Sequence, residues 1–364
     1  MIERLTDLSD EGEIVNLMDR FILEHKQPDG RTIIDHFVDA HPELPDDERE
    51  MLLGWHDVVE GIFRIEQYSG DGLVAINLID GLTYEVYSNI GKVGLRGISP
   101  GMFLFARLLL VLDVWILSGV SQMFPASSRA EVYRAAQEFV TRRPELAYRN
   151  PEILEKAWEF QRRDREDFIQ CFGTDELIVA GHEVPDTYAK YMHYKMYESH
   201  DDEGKTLADR SLETSGSYPD LLAPDWEPHL LDAETVGIIY DETEGLTFLV
   251  DYGAFQEAFT NPDLVSTSRY RKQIRTYLRD SSISPVPFRR QAERDPDRAS
   301  RLFRAFLGKP GFDWERDGES FLRRHKADHM DRTPLPTVTP INEVLSEGLN
   351  ATTPGSRKGR KWKR

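Results

Sequence analysis

Between Trp55 and Gly119 apolar and polar positions alternate in five short runs, most of them divided by Gly, Asp and Ser. Alternation at period two predicts half-buried strands. Residues 60–66 put Gly61, Phe63 and Ile65 on one face, and residues 73–79 put Val74, Ile76 and Leu78 on one side. Leu82, Tyr84 and Val86 then alternate with Thr83, Glu85 and Tyr87. Asp80-Gly81, between the second and third runs, reads as a two-residue hairpin loop, because a type I′ turn needs φ > 0 at both positions. After a Gly-rich stretch over 89–101 come runs at 102–108 and 112–118. Five strands in so short a stretch predict a small β-barrel of the OB or SH3-like kind, in which closure removes exposed edges. The segment Leu109-Leu110-Val111-Leu112-Asp113 is too apolar for an exposed hairpin loop. Either another element packs on it or the strands run differently.

Helical spacing frames this region. Residues 10–24 place Ile14, Leu17, Met18, Phe21 and Ile22 at helical intervals, and 32–40 form a second helix. Pro45-Asp46-Asp47-Glu48 opens a third: proline is tolerated in the first turn and acidic residues suit the helix N-terminus. These helices are expected to cap one barrel opening. Beyond the barrel, Ser128-Arg129-Ala130-Glu131 reads as a capping box opening a helix to Arg142, and Asn150-Pro151 starts another. A short strand is predicted over 176–180 and a helix over 185–197. Residues 199–230 lack periodicity and read as a long loop. A second hairpin follows over 236–240 and 246–251, then helices over 254–259, 268–278, 287–294, 297–307 and 314–326. Residues 333–340 read as an extended linker and 341–349 as a short helix before a loose basic end. The expected class is α+β: a helical cap (1–54), a small barrel (55–125), a mostly helical domain with a short β-hairpin sheet (126–332) and a flexible tail (333–364).

A chain of 364 residues can bury two or three such domains. The polar, acidic first ten residues do not resemble a signal peptide, and Cys171 is alone, which excludes a disulfide framework and a cysteine-based metal site. A cytoplasmic protein is expected. The apolar run over 102–118 is too short for a membrane span and carries Arg107 and Asp113, so no membrane partner is expected.

Charge changes the picture most. Residues 1–264 hold 22 Lys and Arg against 52 Asp and Glu, whereas the last 100 hold 23 against 12. The basic part either folds back on acidic segments or faces solvent, or it is a site for a polyanion. For the second reading, Arg269, Arg271, Lys272, Arg275 and Arg279 with Tyr270 and Tyr277 make a basic helix with interleaved aromatics. Arg289, Arg290, Arg294, Arg298, Arg301 and Arg304 extend the bias, and Arg357, Lys358 and Lys361 repeat it in the tail. On the barrel, Tyr87, Phe103, Phe105 and Trp115 project away from the core set; such aromatics either stack bases or bury against flanking helices.

The alternative is a divalent-metal hydrolase using Asp241, Glu242, Glu244 and Asp251 with His182, His193 and His200, since two-metal sites need converging carboxylates. No H-E-x-x-H or paired D-x-D context accompanies them. His25, His36, His41 and His56 lack metal-ligand spacing. P-loop and G-x-G-x-x-G motifs are missing from the sequence. Cys171 beside Phe172 reads as a small buried hydrophobe. No cofactor or metal is expected. The expected role is a binding or regulatory module that contacts an anionic partner, a nucleic acid or an acidic protein, through its basic C-terminal region.

Residues 354–364, Pro-Gly-Ser-Arg-Lys-Gly-Arg-Lys-Trp-Lys-Arg, resemble the end of the SEC-C zinc motif, C-P-C-G-S-G-K-K-Y-K-x-C. Gly359, the basic pair, the aromatic and Lys363 keep the order, but Pro354 and Ser356 replace cysteines, so the resemblance implies no zinc here. The body is similar to uncharacterised bacterial proteins in which a region like 55–119 precedes a segment like Ser284-Pro285-Val286-Pro287-Phe288-Arg289-Arg290. SEC-C tails imply protein or nucleic-acid contacts.

Overall fold

The computed structural model describes residues 11–215, 224–339 and 341–352. The chain divides into two compact units, one of residues 1–156 with 339–364 and one of residues 157–338. It is an α+β protein: N-terminal helices, a closed five-stranded barrel, then a mostly helical region with a three-stranded antiparallel sheet.

In the first unit, helices α1 (Glu11–Leu23), α2 (Ile33–Ala40) and α3 (Asp46–Gly54) precede strands β1 (Val59–Ser69), β2 (Gly72–Asn77), β3 (Thr83–Tyr87), β4 (Phe103–Val111) and β5 (Val114–Phe124). The barrel closes in the order β1-β2-β3-β5-β4, with β3 parallel to β5 and the other pairs antiparallel. Phe63, Ile65, Leu73, Ala75, Tyr84, Val86, Leu104 and Leu108 fill it. The apolar stretch after Leu108 resolves simply. Leu109–Val111 continue β4, and only Leu112-Asp113 turn the chain. Leu109 packs on a cluster of Leu23, Ile34, Val38, Leu52 and Trp55 from the preceding helices.

Two expectations about the β2–β3 hairpin are corrected. The inward set of β2 is Leu73, Ala75 and Asn77, while Val74 and Ile76 are half-buried. The loop is also wider than Asp80-Gly81: β2 ends at Asn77, β3 begins at Thr83, and only Gly81 takes positive φ. The cause is the Asp80 carboxylate, fully buried, which accepts from Asn77 Nδ2 (3.0 Å), Leu82 N (2.8 Å) and Tyr84 Oη (2.7 Å). A buried carboxylate needs several donors, and a two-residue loop could not bring these three to one point. Burial raises the Asp80 pKa.

Helix α4 (Arg129–Arg142) packs on the barrel wall, where Phe103 meets Tyr133 and Phe105 meets Phe139 edge to face. Those aromatics are therefore covered by a helix. Ser128 makes no side-chain cap, so the predicted capping box is not formed. The chain returns to this unit at Thr339. Asn342 Nδ2 donates to the Leu78 and Ile79 carbonyls, and its Oδ1 accepts from Leu345 N.

The second unit begins within α5 (Pro151–Phe172), the helix opened by Asn150-Pro151. Strands β6 (Glu176–Val179), β7 (Val236–Asp241) and β8 (Gly245–Val250) form the sheet, with β7 central. Val236, Ile238 and Tyr240 face Phe168, Val184 and Tyr191. Ile239 joins a larger core on the other face, with Tyr252, Phe255, Tyr277, Phe288 and Phe303. A side chain at Gly237 would collide with the Tyr252 ring, so glycine there lets the ring lie across the strand. The order continues α6 (Val184–Tyr197), α7 (Leu207–Ser215), a single turn at Pro228–Leu231, then α8 (Tyr252–Thr260), α9 (Ser268–Arg279), α10 (Val286–Arg294), α11 (Pro296–Leu307) and α12 (Trp314–Met330). Helix α13 (Glu343–Thr352) belongs to the first unit. The predicted loop over 199–230 is corrected by α7. Thr206 Oγ1 accepts from Asp209 N while Asp209 accepts from Thr206 N, a capping box with Asp in the Glu position.

Candidate anion-binding face

Two arginine-rich helices of the second unit meet different surroundings. In α9, Ile274, Tyr277 and Leu278 enter the core. Lys272, Arg275 and Arg279, spaced three and four residues apart, share one exposed face. None of these three side chains has a carboxylate partner among the described residues. Their neighbours on α9 are occupied. Arg269 Nη2 meets Glu234 Oε2 at 2.6 Å and lies over the Tyr270 ring. Arg271 Nη2 donates to the Phe306 carbonyl at 2.6 Å and stacks on the Phe306 ring, supplying a donor to one of the last carbonyls of α11. Tyr277, predicted as an interleaved aromatic, is buried, and its hydroxyl donates to Val250 O.

Beyond Arg279 the α9 terminus is held by α12. Lys326 Nζ and His329 Nε2 contact the carbonyls of Asp280 and Ser281. A cation beside a helix C-terminus is electrostatically favourable. Lys326 is almost fully buried, and burial lowers its pKa.

Helix α10 contrasts with α9. Phe288 and Ala292 face the core, and Gln291 donates to the Tyr252 hydroxyl. Arg290 makes two hydrogen bonds to Asp175 (3.0 and 3.1 Å) and lies 3.6 Å from Asp241 and 3.8 Å from Glu176. Arg165 of α5 meets the same Asp175 at 2.6 Å. Burial alone would raise the Asp175 pKa, but hydrogen bonds and charges from Arg290 and Arg165 hold it below the usual carboxylate range. Arg294 pairs with Glu176 through two bonds (3.0 and 2.8 Å), and Arg289 does the same with Glu319 (2.8 and 2.7 Å). A cleft of about 600 Å³ opens beside these side chains, lined by four arginines and the four acids Asp175, Asp241, Glu242 and Glu293. Its charge is internally matched.

Of the sequence candidates, Lys272, Arg275 and Arg279 thus come together in the open. Arg269, Arg289 and Arg290 are ion-paired, and Arg271 is hydrogen-bonded to backbone. Arg357, Lys358 and Lys361 lie outside the described residues. Arg298, Arg301 and Arg304 also face carboxylates, of Asp295, Asp263 and Asp313.

The carboxylates and histidines of the hydrolase alternative are not brought together. Asp241 faces Arg290, Glu244 pairs with Arg332 at 2.6 Å, and Asp251 sits at positive φ just before α8. His193 pairs with Glu198, and His200 bridges to Thr206. Among the described residues no group of three or more His, Cys, Asp and Glu could hold a metal ion. His36 and His41 pair locally with Asp29 and Glu43, while His56 lies by Asp35. Cys171 is half-buried, and burial pushes its thiol pKa up.

Sequence reasoning missed Arg165 and Asp175, the partners that occupy Arg290, because nothing local marks residues so far away in the chain. It also left Lys309, Arg324 and His325 unremarked, although an unbroken basic run over 323–326 was there to be read.

Fold and face together define an α+β protein with a closed barrel in one unit and an uncompensated cationic helix face in the other. Residues 5–150, which take in the N-terminal helices, the barrel and α4, match a family of unknown function, DUF7986. No curated protein and no solved structure matches the chain. The family match does not reach residues 354–364, and no comparison supports their SEC-C resemblance. No helix among the described residues is long and apolar enough to cross a membrane.

Proposed function

We propose that the protein is a binding or regulatory module that docks an anionic polymer, a nucleic acid or an acidic protein segment, on the outer face of α9. The supporting observation is the group of Lys272, Arg275 and Arg279: three cations on one exposed helix face without carboxylate partners, in a chain of net charge −19. Surface cations elsewhere in the unit are largely neutralised by neighbours. Leaving three adjacent like charges uncompensated costs stability through repulsion, and an anionic partner offsets that cost.

The test is fluorescence anisotropy with labelled single-stranded oligonucleotide and with polyglutamate, each at two salt concentrations. Binding to at least one polymer should weaken steeply with salt, because each neutralised phosphate or carboxylate releases counterions. Neutralising the face with Lys272→Gln, Arg275→Gln and Arg279→Gln should abolish it. Salt-independent binding, or binding unchanged in the triple variant, contradicts the proposal.

A further inference from the structure

Three hollows of the second unit differ in how their charges balance. The cleft beside α10 is matched, as described. A second, of about 580 Å³, is lined by Arg162 and Arg163 against Glu159, Glu166, Asp167, Glu198 and Asp202, an excess of acid. The third, of about 720 Å³, lies between the α11–α12 turn and α12 and is different in kind. Lys309, Arg324 and His325 line it, and Asp317 is the one acidic residue of its lining. That carboxylate is already engaged. Arg316 holds it with two hydrogen bonds (2.9 and 2.7 Å), and Arg316, then the Asp313 backbone N–H, pushes its pKa down to about 2. Neither Lys309 nor Arg324 forms a close ion pair among the described residues, although the Arg324 charge also helps to lower the Asp317 pKa.

The floor of this hollow is apolar. Leu307, Phe312 and Phe321 line it, and the His325 ring rests on Phe321 with centroids 4.9 Å apart. The turn Gly308-Lys309-Pro310-Gly311 completes the lining. No atom would meet a side chain at either glycine, so the backbone there is open to close approach. Its volume falls within the range of small-molecule sites, which combine apolar walls with a few placed polar groups.

We infer that this hollow binds a phosphate monoester carrying a flat, ring-bearing body, with Arg324 and Lys309 on the phosphate and the exposed His325 ring, backed by buried Phe321, under the ligand ring. A phosphate monoester carries nearly two negative charges at neutral pH, which suits two cations. The guanidinium fork matches two phosphate oxygens and the lysine ammonium serves as a point charge. An inorganic anion would leave the apolar floor unused, and an uncharged ring would leave the cations unmatched. The inference rests on this hollow's own lining and not on the α9 face, so the two proposals fail separately. Free nucleotides and aryl phosphates share this chemistry.

Isothermal titration of the intact protein separates the sources. The probes are adenosine monophosphate, phenyl phosphate, adenosine and inorganic phosphate. At least one of the two monoesters should bind saturably, and both adenosine, which lacks the phosphate, and inorganic phosphate, which lacks the ring, should bind at least about tenfold more weakly. A preference for adenosine monophosphate points to a nucleotide, and a preference for phenyl phosphate to an aryl phosphate. Arg324→Gln and Lys309→Gln should each weaken the preferred ester about tenfold while leaving the melting temperature unchanged, since neither side chain is hydrogen-bonded. The His325 ring provides a second readout. Burial, then the charges of Lys326, Arg324 and Arg279, lowers its pKa in the free protein, and a bound phosphate should raise it, as seen by proton resonance. No saturable binding of either ester, ester binding unaffected by both variants, or adenosine or inorganic phosphate binding as tightly as the better ester each overturns the inference.

Discussion

Helices α9 and α10 are nearly equal in arginine content, yet one holds its unit together and the other is open. The difference lies in what each helix faces. The arginines of α10 lie over Asp175, Glu176 and Asp241 at the ends of β6 and β7, and over Glu319 of α12. On the outer face of α9, Lys272, Arg275 and Arg279 form no ion pair with an acid among the described residues. A run of basic residues therefore says little until the surfaces around it are known. Partly buried arginines hydrogen-bonded to carboxylates act on folding, and exposed unpaired ones act on association.

Substitutions at the two helices should sort accordingly, and the largest expected effect is at α10. Arg290→Ala leaves Asp175 with one guanidinium and Asp241 without one, and should lower stability by about 2–4 kcal/mol, read from the urea midpoint. A loss below about 1 kcal/mol would mean that Arg165 alone satisfies Asp175. Next in size is Arg271→Ala, which removes a donor from the Phe306 carbonyl; about 1 kcal/mol is expected, with polymer binding unaffected. The smallest effect belongs to the open face. The triple glutamine variant of Lys272, Arg275 and Arg279 should shift stability by no more than about 0.5 kcal/mol, because no ion pair or side-chain hydrogen bond among the described residues is lost.

Acidity separates half-buried Asp175 from buried Asp80 in the same way. The Asp175 pKa is lowered in the folded state, so its contribution is present above the unfolded value of about 4 and is lost as pH falls through the folded value. The Asp80 pKa is raised, so its contribution is complete below about pH 4 and declines as pH rises through its folded value. Urea unfolding between pH 2 and 7 should show the first loss in the native protein but not in Asp175→Asn. The decline at higher pH should disappear in Asp80→Asn. A pH profile that neither variant alters would contradict both assignments.

Much of the architecture could be read along the chain, because alternation and helical spacing are local. The barrel strands and the helices from α8 to α12 are found where periodicity predicts them. The failures share one origin, in that distant groups overrule a local rule. Asp80-Gly81 is the strongest hairpin dipeptide in the chain, yet the Asp80 carboxylate is drawn inward by Asn77 and Tyr84 and widens the loop. Asn77, polar by type, faces in for the same reason. The candidate face was legible only as a list of cations. Arg290 and its partner Asp175 stand 115 residues apart, so no local pattern could distinguish it from Arg275, which has no carboxylate partner among the described residues. Helix α7 was missed because Thr206 and Asp209 cap it in a polar stretch without apolar periodicity.

The most direct measurement is the salt dependence of polymer binding, compared between the native protein and the triple α9 variant. With three cations engaged, the logarithm of the single-strand binding constant should fall against the logarithm of salt with a slope of about −2. The variant should bind too weakly to give a slope. An equal slope and affinity in both proteins would contradict the assignment of the α9 face as the anion-binding surface.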